Sequence, residues 1–166
     1  MPINVIFLDI DGVLNNFNRE CQNRGRNINL SKPSIQLLNQ LIEKSSSENC
    51  PTKIVLSSVW RKDFNNAFGI NAFFEAIGIK AVVIDKTPVF GDCERGSEIL
   101  AWLIKAQYAN KYNIKSICII DDDADMGVLM PWLVRTDTKI GLDLEKFNQA
   151  KDMLNRPFEL FLQLGC

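Results

Sequence analysis

The sequence predicts a three-layer α/β fold built on a mostly parallel five-stranded sheet. Five short apolar runs have the composition of buried strands, and longer stretches with helical periodicity separate them. Continuous apolar strands that alternate with helices are typical of a parallel sheet covered on both faces. The chain has 166 residues, enough for one domain with a substantial core, and we expect a single domain over residues 1–166.

The strands are predicted from runs that are short and rich in β-branched residues, which favour a pleated, buried surface. In chain order they are INVIFL (3–8), KIVL (53–56), KAVVI (80–84), SICII (116–120) and WLVRT (132–136). Ligands of such sheets bind at the carboxyl ends of the strands. The residues that follow each run are therefore the candidates for a functional site.

The first two helices are predicted between strands. Ser31 is a suitable N-cap for the first helix, which has a proline in its first turn and apolar residues at 35, 38, 41 and 42. A weaker helical pattern covers 63–78, where Gly69 interrupts it and Gly78 ends it.

The later helices are predicted from clearer patterns. The strongest covers 96–112, and Asp143 is the N-cap candidate of another over 143–154. The residues after Pro157, PFELFLQL, are expected to form a last short helix.

The composition excludes several kinds of chemistry. The chain has no histidine, so His–Asp triads, histidine acid–base chemistry and histidine metal sites are all excluded. A net charge of −1 gives no global attraction to nucleic acid or to anionic membranes. Five cysteines without a CxxC pair predict reduced thiols and a cytoplasmic location. We expect neither a secretory signal nor a membrane span, since no apolar stretch approaches the length that either needs.

Two aspartates follow the first strand, in the segment VIFLDIDGVLNN (5–16). Asp9 and Asp11 are two residues apart, and unit charges about 4 Å apart repel by roughly 4 kcal/mol at an effective dielectric near 20. Mg²⁺ would cancel this repulsion, because it prefers carboxylate oxygens and also binds phosphate. One carboxylate could then attack phosphorus, while the other protonates the leaving group and activates water.

Three further segments carry polar groups to the same edge of the predicted sheet. They supply Ser57 and Ser58 after the second strand, Arg95 before the strongest helix, and Asp121, Asp122, Asp123 and Asp125 after the fourth strand. A hydroxyl and a cation can hold phosphoryl oxygens that gain charge in a transition state. The four segments together predict a site for phosphoryl transfer.

These motifs, in this order, resemble those of the haloacid dehalogenase (HAD) superfamily of phosphotransferases. More narrowly, the chain resembles the small HAD domains associated with Swiss-army-knife RNA repair proteins, through FLDIDGVLN, VLSSVWR, ERGSEILAWL, IIDDDADM and RTDTKIGLD. The resemblance covers roughly residues 3–142. It implies a Rossmann-like HAD fold and a Mg²⁺-dependent phosphomonoester hydrolase that works through an aspartyl-phosphate.

The resemblance also implies residue roles for the first two motifs. Asp9 would be the nucleophile and a metal ligand. Asp11 would be the acid/base and would also offer its backbone carbonyl to the metal. Ser57 would bind phosphate, with Ser58 as the less favoured alternative.

For the third and fourth motifs the resemblance leaves alternatives. Arg95 would be the basic residue of the third motif, with Lys86 as the alternative. Asp122 would be a metal ligand with Asp121 as its partner, and Asp125 is the other candidate in this acidic run.

Residues beside the motifs are candidates for substrate contact. Trp60 and Arg61 could stack on or clamp a substrate, and packing within the fold is the alternative for Trp60. Asn15 and Asn16 border the site, and they either contact substrate or order the loop.

The spacing of the motifs leaves no room for a substantial cap domain. An uncapped site cannot by itself enclose a small substrate and exclude water. We therefore expect a phosphate on a macromolecule, either a nucleic-acid end or a phosphoprotein. Arg19, Arg24 and Arg26, in the polar segment 15–31, could follow a phosphate backbone, and a solvated loop is the alternative. The sequence does not predict the oligomeric state.

A signalling receiver module is the alternative from another functional class. Receivers are also parallel α/β sheets with Mg²⁺ and a phospho-acceptor aspartate, but they carry that aspartate after the third strand and a lysine after the fifth. Asp85 follows KAVVI here, yet no matching lysine follows WLVRT. A binding module with a vestigial site is disfavoured, because all four motifs are intact.

Overall fold

The structure is a computed structural model that describes residues 1–15, 30–91 and 94–159. Five strands form its sheet: β1 Pro2–Leu8, β2 Thr52–Leu56, β3 Val83–Lys86, β4 Asn113–Asp121 and β5 Leu133–Arg135. The α-helices are α1 Lys32–Ser45, α2 Ala67–Ala76, α3 Arg95–Tyr108 and α4 Leu144–Leu154. Two short 3₁₀ helices, Val59–Asp63 and Gly127–Trp132, follow β2 and precede β5.

The sheet has the order β3-β2-β1-β4-β5, and every described strand pair is parallel. This is the order of Rossmann-like sheets, whereas receiver modules use the order 2-1-3-4-5. The predicted α/β fold with a five-stranded sheet is therefore confirmed. The topology is not that of the receiver alternative.

The side chains of β1, the central strand, alternate between the two faces of the sheet. Ile6 and Leu8 pack on the side covered by α1, α2 and α4. Val5 and Phe7 pack on the side covered by α3 and by the 3₁₀ helix Gly127–Trp132. Both faces of the strand are apolar because both are buried, which gives the three layers that the continuous apolar runs predict.

Several predicted boundaries differ from the structure, and β4 begins at Asn113 rather than at residue 116. The third strand is Val83–Lys86 rather than 80–84, and its ladder with β2 has a register irregularity between Ile54 and Val55. Helix α3 ends at Tyr108 rather than at residue 112, because Asn110 adopts a φ of 47°, in the left-handed region that cannot continue a helix.

Both N-caps that the sequence predicts are found in the structure, whereas the start of α2 differs. Ser31 and Asp143 are confirmed as the N-caps of α1 and α4, where each side chain accepts a backbone N–H. Helix α2 begins at Ala67 and not at residue 63, because the Asn66 side chain accepts the N–H of Gly69 and fixes the start there.

The last predicted helix is absent from the part of that segment that the structure describes. Pro157–Glu159 are not helical, and the remainder of PFELFLQL lies outside the described residues. None of the described helices combines the length and the apolar character that crossing a membrane requires.

Truncation of a core residue in α2 should destabilise the fold strongly. Phe74 is fully buried, so we expect Phe74→Ala to lower the free energy of unfolding by about 3–5 kcal/mol. Urea unfolding followed by circular dichroism measures this loss. Phe68, in the same helix, is 82% exposed and provides the control, since Phe68→Ala should change the stability by less than about 0.5 kcal/mol. Similar losses in both variants would contradict this placement of α2.

Candidate active site

The carboxyl edge of the sheet brings three strand ends to the same level. The central strand pairs with both neighbours at its last residue, Leu8, whose partners are Leu56 and Ile120. The next residues continue this alignment, because the N–H of Asp9 donates to the Ile120 carbonyl at 3.0 Å and that of Ser57 to the Leu8 carbonyl at 3.0 Å. The residues that follow these paired positions, Asp9, Ser57 and Asp121, therefore lie at one point of the edge.

Three carboxylates form a cluster at this point. Asp9, Asp121 and Asp122 each have an oxygen within 4.8 Å of the others. Burial raises the pKa of Asp121 to about 7, with the charge of Asp9 as a further cause and Arg95 opposing both. Burial also raises the pKa of Asp9, again against the effect of Arg95.

This cluster fits a divalent cation. Buried carboxylates at such distances disfavour each other's ionised form, and nearby positive charge restores it. Asp121 Oδ2 is buried without a hydrogen bond, 3.5 Å from Arg95 Nε. Three clustered carboxylates, one with a buried oxygen that has no hydrogen bond, offer the hard ligands that Mg²⁺ prefers. The sequence prediction of Asp121 and Asp122 as neighbours of Asp9 therefore agrees with the geometry, while Asp125 lies outside the cluster.

Gly12 allows Asp122 to approach the turn after β1. A Cβ atom at Gly12 would lie 2.2 Å from Asp122 Oδ2, and the residue has a φ of +70°. Glycine is therefore required here both by the space and by the backbone conformation.

Two threonines after β5 hold this contact in place, and sequence reasoning missed both. Thr136 Oγ1 donates to the Gly12 carbonyl and Thr138 Oγ1 to Asp122 Oδ2, each at 2.8 Å. Both threonines lie in RTDTKIGLD, which contributes to the family resemblance but is not one of the four motifs. That resemblance was the only feature of the sequence that could have pointed to them.

Arg95, rather than Lys86, is the basic residue that reaches the carboxylates. It is the first residue of α3, its Nη1 donates to the Ser57 carbonyl, and its Nε lies 3.5 Å from Asp121 Oδ2. Its backbone N–H donates to Asp125 Oδ2 at 3.0 Å, which gives Asp125 a role at the start of the helix. The Lys86 ammonium instead binds backbone carbonyls of the 3₁₀ segment after β2.

The two serines after β2 differ in their partners. Ser58 Oγ accepts the backbone N–H of Trp60 at 3.4 Å, and a hydrogen bond from the Ser58 side chain to Asp9 stabilises the ionised form of that carboxylate. Ser57 Oγ is fully buried and has no hydrogen-bond partner in the described part of the chain. An unpaired buried hydroxyl costs about 1–3 kcal/mol, so a ligand oxygen at Ser57 would relieve that cost.

Arg61, predicted as a substrate contact, has a different position. It is buried, at 2% exposure. Its five N–H groups donate to the carbonyls of Ser57, Ser58, Thr87 and Pro88 and to Glu98 Oε2. A guanidinium has only five N–H donors, so none is left for a substrate. The structure corrects this prediction: Arg61 joins the loops after β2 and β3 to α3.

Trp60 and Asn15 contact Asp11. Trp60 Nε1 donates to Asp11 Oδ2 at 2.9 Å, and Asn15 Nδ2 donates to Asp11 Oδ1 at 2.7 Å. Asn15 Oδ1 also accepts the N–H of Gly12 at 2.9 Å, so of its two predicted roles the structure favours ordering of the loop. The Trp60 ring packs on Phe73, with ring centroids 5.8 Å apart.

Part of the predicted substrate surface is outside the described residues. This applies to Asn16 and to the arginines at 19, 24 and 26. The proposed contact of this segment with a phosphate backbone stays a prediction.

Comparison with known proteins identifies a related family. Residues 5–147 match the family described as the HAD domain in Swiss Army Knife RNA repair proteins. The match covers all the residues of the carboxylate cluster and its neighbours. A search of curated proteins found no match, and neither did a search of solved structures.

Closing the space between Gly12 and Asp122 should destabilise the protein beyond the cost of backbone strain. Gly12→Ala introduces both a positive-φ alanine and a clash with Asp122, whereas a Cβ atom at Gly78, with a φ of +85°, would have no neighbour within 4 Å. We expect Gly78→Ala to cost about 1–2 kcal/mol, the usual cost of a left-handed residue, and Gly12→Ala to cost clearly more. Urea unfolding of both variants measures the difference. Equal losses would show that Asp122 does not occupy this space.

Proposed function

This chain belongs to the family of HAD domains in Swiss Army Knife RNA repair proteins, and on that premise we propose that it is a Mg²⁺-dependent phosphomonoester hydrolase. Membership of a HAD family implies phosphohydrolase activity. The observation that supports a Mg²⁺-dependent mechanism is that the Asp9 and Asp11 carboxylates have different surroundings. Asp9 lies in the cluster with Asp121 and Asp122, whereas the carboxylate of Asp11 is held by Asn15 and Trp60.

The first step would transfer the phosphoryl group to the protein. An Asp9 oxygen attacks phosphorus, and the bond from phosphorus to the substrate oxygen breaks. Asp11 gives a proton to that oxygen, which leaves as an alcohol. The unpartnered hydroxyl of Ser57 and the guanidinium of Arg95 bind the phosphoryl oxygens as they gain charge.

The second step would restore the protein. Asp11, now a carboxylate, accepts a proton from water as the water oxygen attacks phosphorus. The bond between phosphorus and the Asp9 oxygen breaks, inorganic phosphate leaves, and Asp9 is again a free carboxylate. Asp11 therefore acts first as acid and then as base, and the proton that it takes from water replaces the one that left with the alcohol.

The side chains of Asp9, Asp121 and Asp122 would hold Mg²⁺, together with the backbone carbonyl of Asp11. When bound, the ion would neutralise charge on the cluster and on the phosphoryl oxygens. Thr138 would keep Asp122 oriented through its hydrogen bond to Oδ2.

The substrate is proposed to be a phosphorylated macromolecule, with a nucleic-acid end favoured over a phosphoprotein. The described residues between Ser57 and Arg95 contain one 3₁₀ helix, α2 and β3, which leaves the site without a cap from that position. The family's description names RNA repair proteins. Phe68, in the first turn of α2, and Phe90, after β3, are 82% and 44% exposed and offer faces on which bases could stack.

Substitutions of the two aspartates should fail in different ways. Asp9→Asn should form no phosphoenzyme. Asp11→Asn keeps the nucleophile, so it should accumulate a phosphoryl adduct on Asp9 when given an activated aryl phosphate and Mg²⁺. Turnover of poor leaving groups should fall by about 10²–10⁴-fold, the usual contribution of a general acid. Intact-mass measurement followed by peptide mapping locates the adduct.

The acidic run offers a matched control for this experiment. Asp123 is exposed and lies outside the carboxylate cluster, so Asp123→Asn should behave like the wild type. Adduct formation on another residue, wild-type turnover in Asp9→Asn, or full turnover in excess EDTA would each contradict the proposal.

The preference for a macromolecule should appear in kcat/KM. A panel of 3′- and 5′-phosphorylated oligonucleotides, phosphopeptides and small phosphate esters is compared at equal Mg²⁺. We expect the highest value for an oligonucleotide, with an advantage that shrinks as salt rises, because contacts to backbone phosphates release counterions. A phosphopeptide preference would favour the alternative substrate, and equal efficiency on a free sugar phosphate would contradict both.

A further inference from the structure

Both oxygens of the Asp11 carboxylate are held by side chains that come from different parts of the chain. Asn15 Nδ2 binds Oδ1 at 2.7 Å, and Trp60 Nε1 binds Oδ2 at 2.9 Å. An indole nitrogen is a donor only, and so is an amide nitrogen. Two N–H donors on opposite oxygens fix the plane of the carboxylate as well as its position.

We propose that Trp60, with Asn15, is a positioning residue that holds the Asp11 carboxylate apart from the metal cluster and oriented for proton transfer. This inference rests on the proposed phosphatase function and deepens it. It replaces the substrate contact predicted for Trp60 with a contact to the acid/base.

The need for such positioning follows from the crowding at the edge. Asp9, Asp121 and Asp122 already share one small space, and Asp11 is only two residues from Asp9. A cation bound there would attract the Asp11 carboxylate as a further ligand. A carboxylate that binds the metal through its oxygens is no longer placed to exchange a proton with the leaving group or with water. Hydrogen bonds from neutral N–H donors restrain it without adding charge.

Trp60 is itself held firmly. Its backbone N–H donates to Ser58 Oγ, and its ring packs on Phe73, which also contacts Phe64 with ring centroids 5.6 Å apart. The next residue, Arg61, anchors the same 3₁₀ turn through its five N–H groups. The donor that meets Asp11 therefore sits on a rigid segment, which is what precise orientation requires.

Asn15 is fixed from the other side. Its Oδ1 accepts the N–H of Gly12, so the amide bridges the backbone of the turn and the Asp11 side chain. The carboxylate is thereby tied both to its own loop and to the segment after β2.

The test uses Trp60→Phe, which removes the N–H but keeps an aromatic ring against Phe73. We expect kcat for alkyl phosphates to fall by about 10- to 100-fold, the scale of a misplaced catalytic group. The transfer step with an activated aryl phosphate, which needs little protonation, should change less. Hydrolysis of the adduct also needs Asp11, so a phosphoryl adduct on Asp9 should accumulate.

Two further variants keep the test informative. Trp132→Phe is the matched control. Trp132 packs on Phe158 on the face of the sheet that α3 covers, so this variant should keep wild-type kinetics. Asn15→Asp keeps an oxygen for the Gly12 N–H but replaces the donor to Asp11 with a carboxylate that repels it, and it should reproduce the leaving-group dependence of Trp60→Phe.

A measurement without catalysis checks the contact itself. In ¹H–¹⁵N spectra of the uniformly labelled protein, the indole resonance that Trp60→Phe removes should shift in Asp11→Asn and stay in place in Asp123→Asn. If the chemical shift of this indole resonance is the same in Asp11→Asn as in the wild type, the inference is overturned.

The kinetic outcomes separate the possible failures. An equal loss on alkyl and aryl phosphates without adduct would mean that Trp60 acts only in folding, and it overturns the inference. If Trp60→Phe only raises the KM for oligonucleotides, Trp60 contacts the substrate instead, and this result also overturns the inference. In both cases the wild type remains a phosphatase. A wild-type protein that hydrolyses no phosphomonoester would instead overturn the proposed function, and this inference with it.

Discussion

The register of the central strand with its two neighbours is the constraint on which the site depends. Leu8 pairs with Leu56 and Ile120, so the residues that follow these three paired positions lie at one level of the sheet. Parallel strands all end on the same edge, and only the in-register ends of adjacent strands place Asp9, Ser57 and Asp121 side by side. A shift of one residue in either pairing would also turn the following side chain to the other face, because side chains alternate along a strand. The site is therefore a consequence of strand pairing, and the apolar faces that fix this pairing also fix the chemistry.

The electrostatics of the three clustered aspartates explain why a cation would stabilise their ionised forms in addition to Arg95. Burial disfavours the ionised forms of Asp9 and Asp121, and the charge of Asp9 further raises the pKa of Asp121, while Arg95 acts in the opposite direction on both. Arg95 is only one charge against three clustered carboxylates, and it also binds the Ser57 carbonyl. A divalent cation is the simplest group that balances the remaining charge. The charge of the buried Arg61 interacts with Asp9 too, but its stronger interaction is with Glu98, at 2.5 Å.

The sequence predicts the parts of this structure that depend on local patterns. The strands, the caps at Ser31 and Asp143 and the aspartates at strand ends are visible in short windows. The roles of Trp60 and Thr136 are not, because their partners are distant: Trp60 meets Asp11 across 49 positions and Thr136 meets Gly12 across 124. The substrate contact predicted for Arg61 failed for the same reason. A basic residue beside a phosphate motif has the same local sequence whether its guanidinium points to solvent or uses every donor on backbone carbonyls and a glutamate.

The segment SSVWR shows how one short turn can serve several tasks at the carboxyl edge of the sheet. Ser57 leaves its hydroxyl unpaired among the described residues, Ser58 caps the 3₁₀ helix, Trp60 meets Asp11, and Arg61 fixes the turn to the rest of the fold. In enzymes with a closing cap, binding of the substrate can complete the site and exclude water. The described residues between β2 and β3 provide no such element, so the proposed mechanism needs Asp11 to be oriented before substrate arrives. A turn that carries both the Ser57 hydroxyl and the donor to Asp11 meets that requirement of the proposal, because it sets the position of both groups within the fold itself.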